Sequence, residues 1–138
     1  MSKRFNHATH NEHVSNLLCE SDDNVDWIIT TAFYSALHFT EHKLFPMKYT
    51  DSKGRKFKIK ALADYYSFVY PYGTPKIPNK HAVRLDLVNK NLPDIGPDYK
   101  WLKDTCYTAR YVDYQFSNPA NFIQEAKTRL SKVKAACV

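Results

Sequence analysis

The stretch VDWIITTAFYSALHFTEHKLF, Val25 to Phe45, decides the fold class. Ile28, Ile29, Ala32, Phe33, Ala36, Leu37 and Leu44 recur at three- and four-residue spacing, the apolar stripe of a helix buried along one side. Trp27, Thr31, Tyr34, His38 and Glu41 form a second, amphiphilic stripe beside it. Ser21-Asp22-Asp23-Asn24 breaks the chain ahead of it, offering caps and negative charge for the first turn, and Pro46 stops it. Asp26, His38, Glu41, His42 and Lys43 interrupt the apolar residues, so the segment is no membrane span.

Four more segments carry helical periodicity. Ala8 to Cys19 has a short stripe of Val14, Leu17 and Leu18. Asn79, a good cap, opens a segment to Leu92 with Ala82, Leu85, Val88 and Leu92 on one face. Asp98 to Tyr114 aligns Tyr99, Leu102, Cys106 and Ala109, with Phe116 continuing the stripe. Pro119, at a favoured first-turn position, opens a last segment with Phe122, Ala126, Leu130 and Val133 inside and Lys127, Arg129, Lys132 and Lys134 towards its later turns. No run alternates long enough for a sheet. The expectation is one all-α domain over residues 1–138, a four- or five-helix up-and-down antiparallel bundle.

Composition supports one packed domain. The 138 residues are 43% hydrophobic and 25% charged, which argues against disorder. Lys and Arg number 20 against 14 Asp and Glu, and the net charge of +6 favours an anionic partner. Only 3 glycines are present, which disfavours Gly-rich phosphate loops. Cys19, Cys106 and Cys137 form no CxxC pair and read as reduced thiols of a cytoplasmic protein. The start of the chain shows no secretory signal.

Residues 46 to 78 form a long basic loop between the second and third strong helices. Lys53, Arg55, Lys56, Lys58 and Lys60 surround Gly54 at an expected turn, and Tyr65, Tyr66, Phe68 and Tyr70 follow. Charge beside stackable rings suits single-stranded nucleic acid; a solvated loop whose rings fold back on the bundle fits slightly better.

Several residues have the chemistry for a site. His81 and Arg84 lie one turn apart near the stripe of their helix. They read either as a cation pair aimed at phosphate or as a first-turn histidine and an arginine whose head reaches water. Arg110 flanks the next helix's stripe, as a phosphate or transition-state cation or as a brace to an acid. Asp113 falls beneath Leu102 on the helical wheel and would need a partner if buried. His38 and His42 have i, i+4 spacing, but no HExxH or carboxylate motif completes a metal set, so no metal or cofactor is expected. His7, His10 and His13 fit a solvated first helix. Cys106 sits on an apolar stripe, which raises its pKa and leaves it inert. Neither GxSxG nor a Walker loop is present.

Trp27 to Phe39, with His81-Ala82-Val83-Arg84, Tyr99, Leu102 and Ala109-Arg110-Tyr111, resembles the HEPN superfamily of helical bundles, from about Val14 to Val133. The resemblance implies an antiparallel bundle that dimerises and serves RNA cleavage, without a metal, in toxin–antitoxin, phage-defence or RNA-processing systems. Many members use an Arg followed a few residues later by a His, with two dimer copies making one site. Here Asn89-Lys90-Asn91 follows Arg84 and Gln115-Phe116-Ser117 follows Arg110; Arg4 and His10 keep the spacing outside the expected helix. A degenerate endoribonuclease site would draw on Arg110, His81, Arg84 and His38. Lys53, Arg55, Lys56, Lys58, Lys60 and Tyr111 would hold RNA or nucleotide phosphate. The implied partners are a second copy and an antitoxin or nucleotidyltransferase. The alternative is a non-catalytic protein-interaction bundle using Trp27, Tyr34 and His38. The assignment to an anionic ligand expects His81, Arg84 and Arg110 in one cleft.

Overall fold

The computed structural model describes residues 2–138; Met1 and the side chain of Asp22 lie outside it. Among the described residues are six α-helices: α1 (Lys3–Leu18), α2 (Val25–Leu44), α3 (Leu62–Val69), α4 (Lys80–Asn91), α5 (Gly96–Tyr111) and α6 (Pro119–Cys137). The all-α class holds, with more helices than the expected four or five. None of the described helices is long and apolar enough to cross a membrane.

α2 is the centre. Ile28, Ile29, Ala36 and Phe39 are fully buried, so its apolar surface is covered on more than one side. Small residues let α1 approach it closely. Ser15 Oγ donates to the Ile28 carbonyl at 3.0 Å and Ser35 Oγ to the Ala8 carbonyl at 2.7 Å, which sets the two helices antiparallel. Side-chain hydroxyls bonded to a neighbouring helix's backbone satisfy buried donors that would otherwise cost about 1–3 kcal/mol each. α1 begins five residues before the expected Ala8, capped by Ser2 Oγ, which accepts from the Phe5 amide at 3.1 Å.

α5 and α6 are antiparallel. Arg129 binds Asp98 at 3.2 Å, and Trp101 stacks on Phe122 at 6.3 Å. Tyr99, Leu102, Ala126 and Val133 close the core against α2. α5 ends at Tyr111, short of Asp113 and Phe116. Asp113 is exposed and accepts from the Gln115 amide at 2.9 Å, so it needs no buried partner. Phe116 packs on Phe122 of α6, at 4.6 Å, and belongs to no stripe of α5.

The basic loop contains the sheet that was not expected. Strands β1 (Met47–Thr50) and β2 (Lys56–Ile59) pair antiparallel, with Met47 opposite Ile59 and Lys48 opposite Lys58. Asp51 Oδ1 accepts from the Lys53 and Arg55 amides, and Gly54 takes φ +78°, the left-handed conformation glycine adopts without a steric penalty. Met47, Tyr49, Phe57 and Ile59 face the protein and the lysines face water. Phe57 stacks on Phe68 of α3 at 4.5 Å, and Tyr49 meets Tyr65 edge-on at 6.3 Å.

Candidate functional site

Asn79, His81 and Ala82 at the start of α4 meet Lys103, Asp104, Cys106, Tyr107, Thr108, Arg110 and Tyr111 of α5 across a groove floored by Phe33 and Tyr34 of α2. Its volume is about 710 Å³, within the size range of small-molecule sites. The cap fixes one wall: Asn79 Oδ1 accepts from the Ala82 amide at 2.8 Å, so α4 starts there and brings His81 to the groove in its first turn.

His81 lies over the Phe33 ring with centroids 5.6 Å apart, and its Nδ1 is buried without a hydrogen-bond partner. Burial holds its pKa below the ordinary 6.5, and the positive charges of Arg84 and Lys103 lower it further. The imidazole is therefore neutral at neutral pH and able to take up a proton.

Arg110 is exposed. Its Nη1 approaches the Tyr34 hydroxyl at 3.4 Å, and its guanidinium stands 5.5 Å from the centroid of the Tyr111 ring. Among the described residues no carboxylate comes within ion-pair distance of it, so it does not brace an acid. Tyr107 and Tyr111, one turn apart, lie 5.2 Å from each other and keep 61% and 68% of their surface exposed. Cys106 is buried, which raises its thiol pKa, and its Sγ donates to Thr30 Oγ1 at 3.8 Å.

The expected single cleft forms in part. His81, Arg110 and Tyr111 share the groove; Arg84 and His38 do not line it. Arg84 Nε donates to Glu41 Oε1 at 2.7 Å, and Arg4 Nε stands 3.9 Å from the other carboxylate oxygen. Glu41 thus ties α1, α2 and α4 together, which corrects the assignment of Arg84 to the cleft. His38 packs on His7 at 5.1 Å, in a separate hollow shared with Arg4 and Glu41. Burial lowers its pKa despite the raising effect of Glu41.

Lys53, Arg55, Lys56, Lys58 and Lys60 are all exposed on or beside the hairpin, none of them lining the groove. Arg55 is drawn to Asp51 at 2.7 Å. The rings after them are largely used internally, and Tyr66 donates its hydroxyl proton to the Pro78 carbonyl at 2.7 Å. Among the described residues no group of three or more His, Cys, Asp or Glu gathers to hold a metal.

Sequence reasoning passed over Lys103, Asp104, Tyr107 and Thr108. The signal was available: Asp104, Tyr107, Thr108 and Tyr111 repeat at helical spacing on the face of α5 away from Leu102 and Ala109. No family model, curated protein or solved structure matches this chain.

Proposed function

We propose that the groove between α4 and α5 binds RNA or nucleotide phosphate, in a domain of HEPN-like type acting as a homodimer in a toxin–antitoxin or defence setting, with an antitoxin or nucleotidyltransferase as partner. One observation carries the reading. An arginine without a carboxylate partner stands beside two exposed, neighbouring tyrosine rings and a neutral histidine in one groove. A guanidinium binds phosphate, tyrosine faces stack bases at about 1–3 kcal/mol each, and the net charge of +6 draws polyanions.

The same residues supply the parts of metal-free RNA cleavage. His81 takes the proton of the 2′-hydroxyl; the 2′-oxygen attacks the adjacent phosphorus, and the bond to the 5′-oxygen breaks. Arg110 meets the charge that develops on the phosphoryl oxygens. The leaving 5′-oxygen takes its proton from water, and the imidazolium formed at His81 releases its proton to solvent, which restores the neutral base. The products are a 2′,3′-cyclic phosphate and a 5′-hydroxyl.

Binding of a labelled single-stranded RNA, followed across a salt series, tests the first part. Affinity should fall steeply with salt, and Arg110→Ala and Tyr111→Ala should each weaken it by about tenfold. RNA that is not retained at low salt, or binds Arg110→Ala as well as the wild type, refutes the reading. Cleavage is tested with chelator present: His81→Ala should abolish it, and an RNA carrying 2′-deoxyribose at the cut site should resist.

Trp27, 54% exposed on α2, favours a second reading as a protein-binding face. Tyr34 and His38, its expected companions, are half-buried against Arg110 and His7. A bundle used only for protein contact would show no salt-sensitive RNA binding.

A further inference from the structure

In the groove just assigned to RNA, Asp104 has no part in phosphate contact or stacking. α5 sets Asp104, Tyr107 and Tyr111 at i, i+3 and i+7, so a carboxylate and the ring pair share one face. Asp104 Oδ2 accepts from Lys100 Nζ, and Oδ1 accepts from Lys103 Nζ at 3.1 Å. A carboxylate has about four acceptor sites, so each oxygen keeps one free. The two ammonium groups hold the carboxyl ionised, with its pKa below the usual value despite the opposing effect of burial. They also offset its repulsion of a nearby phosphate. Every other polar side chain lining the groove can donate a hydrogen bond; Asp104 can only accept.

Among the RNA bases, guanine alone offers two adjacent donors, N1–H and the N2 amino group, on its Watson–Crick edge. Adenine and cytosine offer one amino group beside an acceptor, and uracil one N–H between two carbonyls. Those acceptors would face a carboxylate oxygen and be repelled.

We propose that Asp104 reads the Watson–Crick edge of a guanine stacked on Tyr107 and Tyr111, so that the groove selects guanine-containing single strands. This rests on the nucleic-acid reading above. The test is fluorescence anisotropy with labelled RNA pentamers UUGUU, UUAUU, UUCUU and UUUUU, and a fifth with inosine at the centre, all carrying 2′-O-methyl ribose so that the proposed cleavage cannot consume them.

The wild type should bind the guanine pentamer about tenfold tighter than the others, the discrimination expected of one bidentate base contact. Inosine lacks the N2 amino group and should lose most of that advantage. Asp104→Asn should bring the guanine-to-adenine ratio close to one while binding the other pentamers more tightly, because a negative charge has gone. Equal wild-type affinities, or a guanine preference that survives Asp104→Asn, would overturn the inference. So would inosine binding as well as guanine, which would assign selection to an arginine on O6 and N7. A flat series that still depends on Arg110 defeats guanine selection alone. A series indifferent to Arg110→Ala defeats the groove reading, and guanine selection with it.

Discussion

Replacing Glu41 by Gln keeps the shape of the side chain and removes the charge that holds two guanidinium groups. Glu41 and Arg84 have side chains only 14% and 17% exposed and are joined at 2.7 Å. At a charge separation of about 4 Å and an effective dielectric near 20, the gross attraction is about 4 kcal/mol. Desolvation offsets much of it in the intact pair, but the variant strands Arg84 with its desolvation cost unmatched, beside Arg4. Breaking a fully buried pair costs about 3–5 kcal/mol; the remaining exposure here lowers the expected loss to about 2–3 kcal/mol. For a chain of this length that is about 6–12 °C in Tm. Urea denaturation followed by circular dichroism measures it directly. The Glu41→Gln/Arg84→Met double variant should lose less than the sum of the singles by at least about 1 kcal/mol, since removing both charges leaves no stranded cation. A Glu41→Gln change within about 0.5 kcal/mol of wild type, with additive double-variant behaviour, refutes this account of Arg84 as a brace.

The folded protein holds His38 and His81 below the ordinary 6.5, chiefly through burial. Above 6.5 both imidazoles are neutral in the folded and unfolded chain and contribute nothing. As pH falls through 6.5 the unfolded chain binds protons first, so stability drops until the folded imidazoles protonate too. The urea midpoint should therefore decline between about pH 7 and pH 5, and His38→Asn/His81→Asn should flatten that slope; an unaltered slope assigns it to other groups. Ser35→Ala should cost about 1–2 kcal/mol and speed amide exchange throughout α1, because the Ala8 carbonyl loses its buried donor. A thiol reagent at neutral pH should label Cys19 quickly and spare the other two until urea unfolds the chain. Cys106 and Cys137 are buried, and the Cys137 thiol is pushed up to about 11; rapid reaction of all three would contradict that packing.

Much of the helical scaffold could be read from local pattern. The stripe of α2, the Asn79 cap of α4 and Pro119 at the start of α6 all act within one or two turns, and each element lies where those signals put it. Local pattern starts α1 too late because only Ala8 and Ser15 are buried along it. Hydroxyl-to-carbonyl bonds supply part of its grip, and these leave little apolar periodicity. The hairpin leaves no legible signal because its strands are four residues each, too short for alternation to register beneath a run of lysines. For the candidate groove, the chemistry of His81 and Arg110 was visible, and so was the possibility of a brace. What was not visible was the partner: Glu41 is 43 residues before Arg84, and only tertiary packing shows that it claims this arginine. Arg110 has no such claimant among the described residues.

A ribbon of two strands has no interior strand, so each margin carries peptide groups that another extended chain can pair with. Here the outward face bears Lys48, Lys56 and Lys58, and Lys48 sits directly across from Lys58, a juxtaposition that weakens the ribbon itself. Its return is protection. A second molecule sliding in edge to edge would bring the same ammonium groups with it, and their mutual repulsion would oppose that pairing.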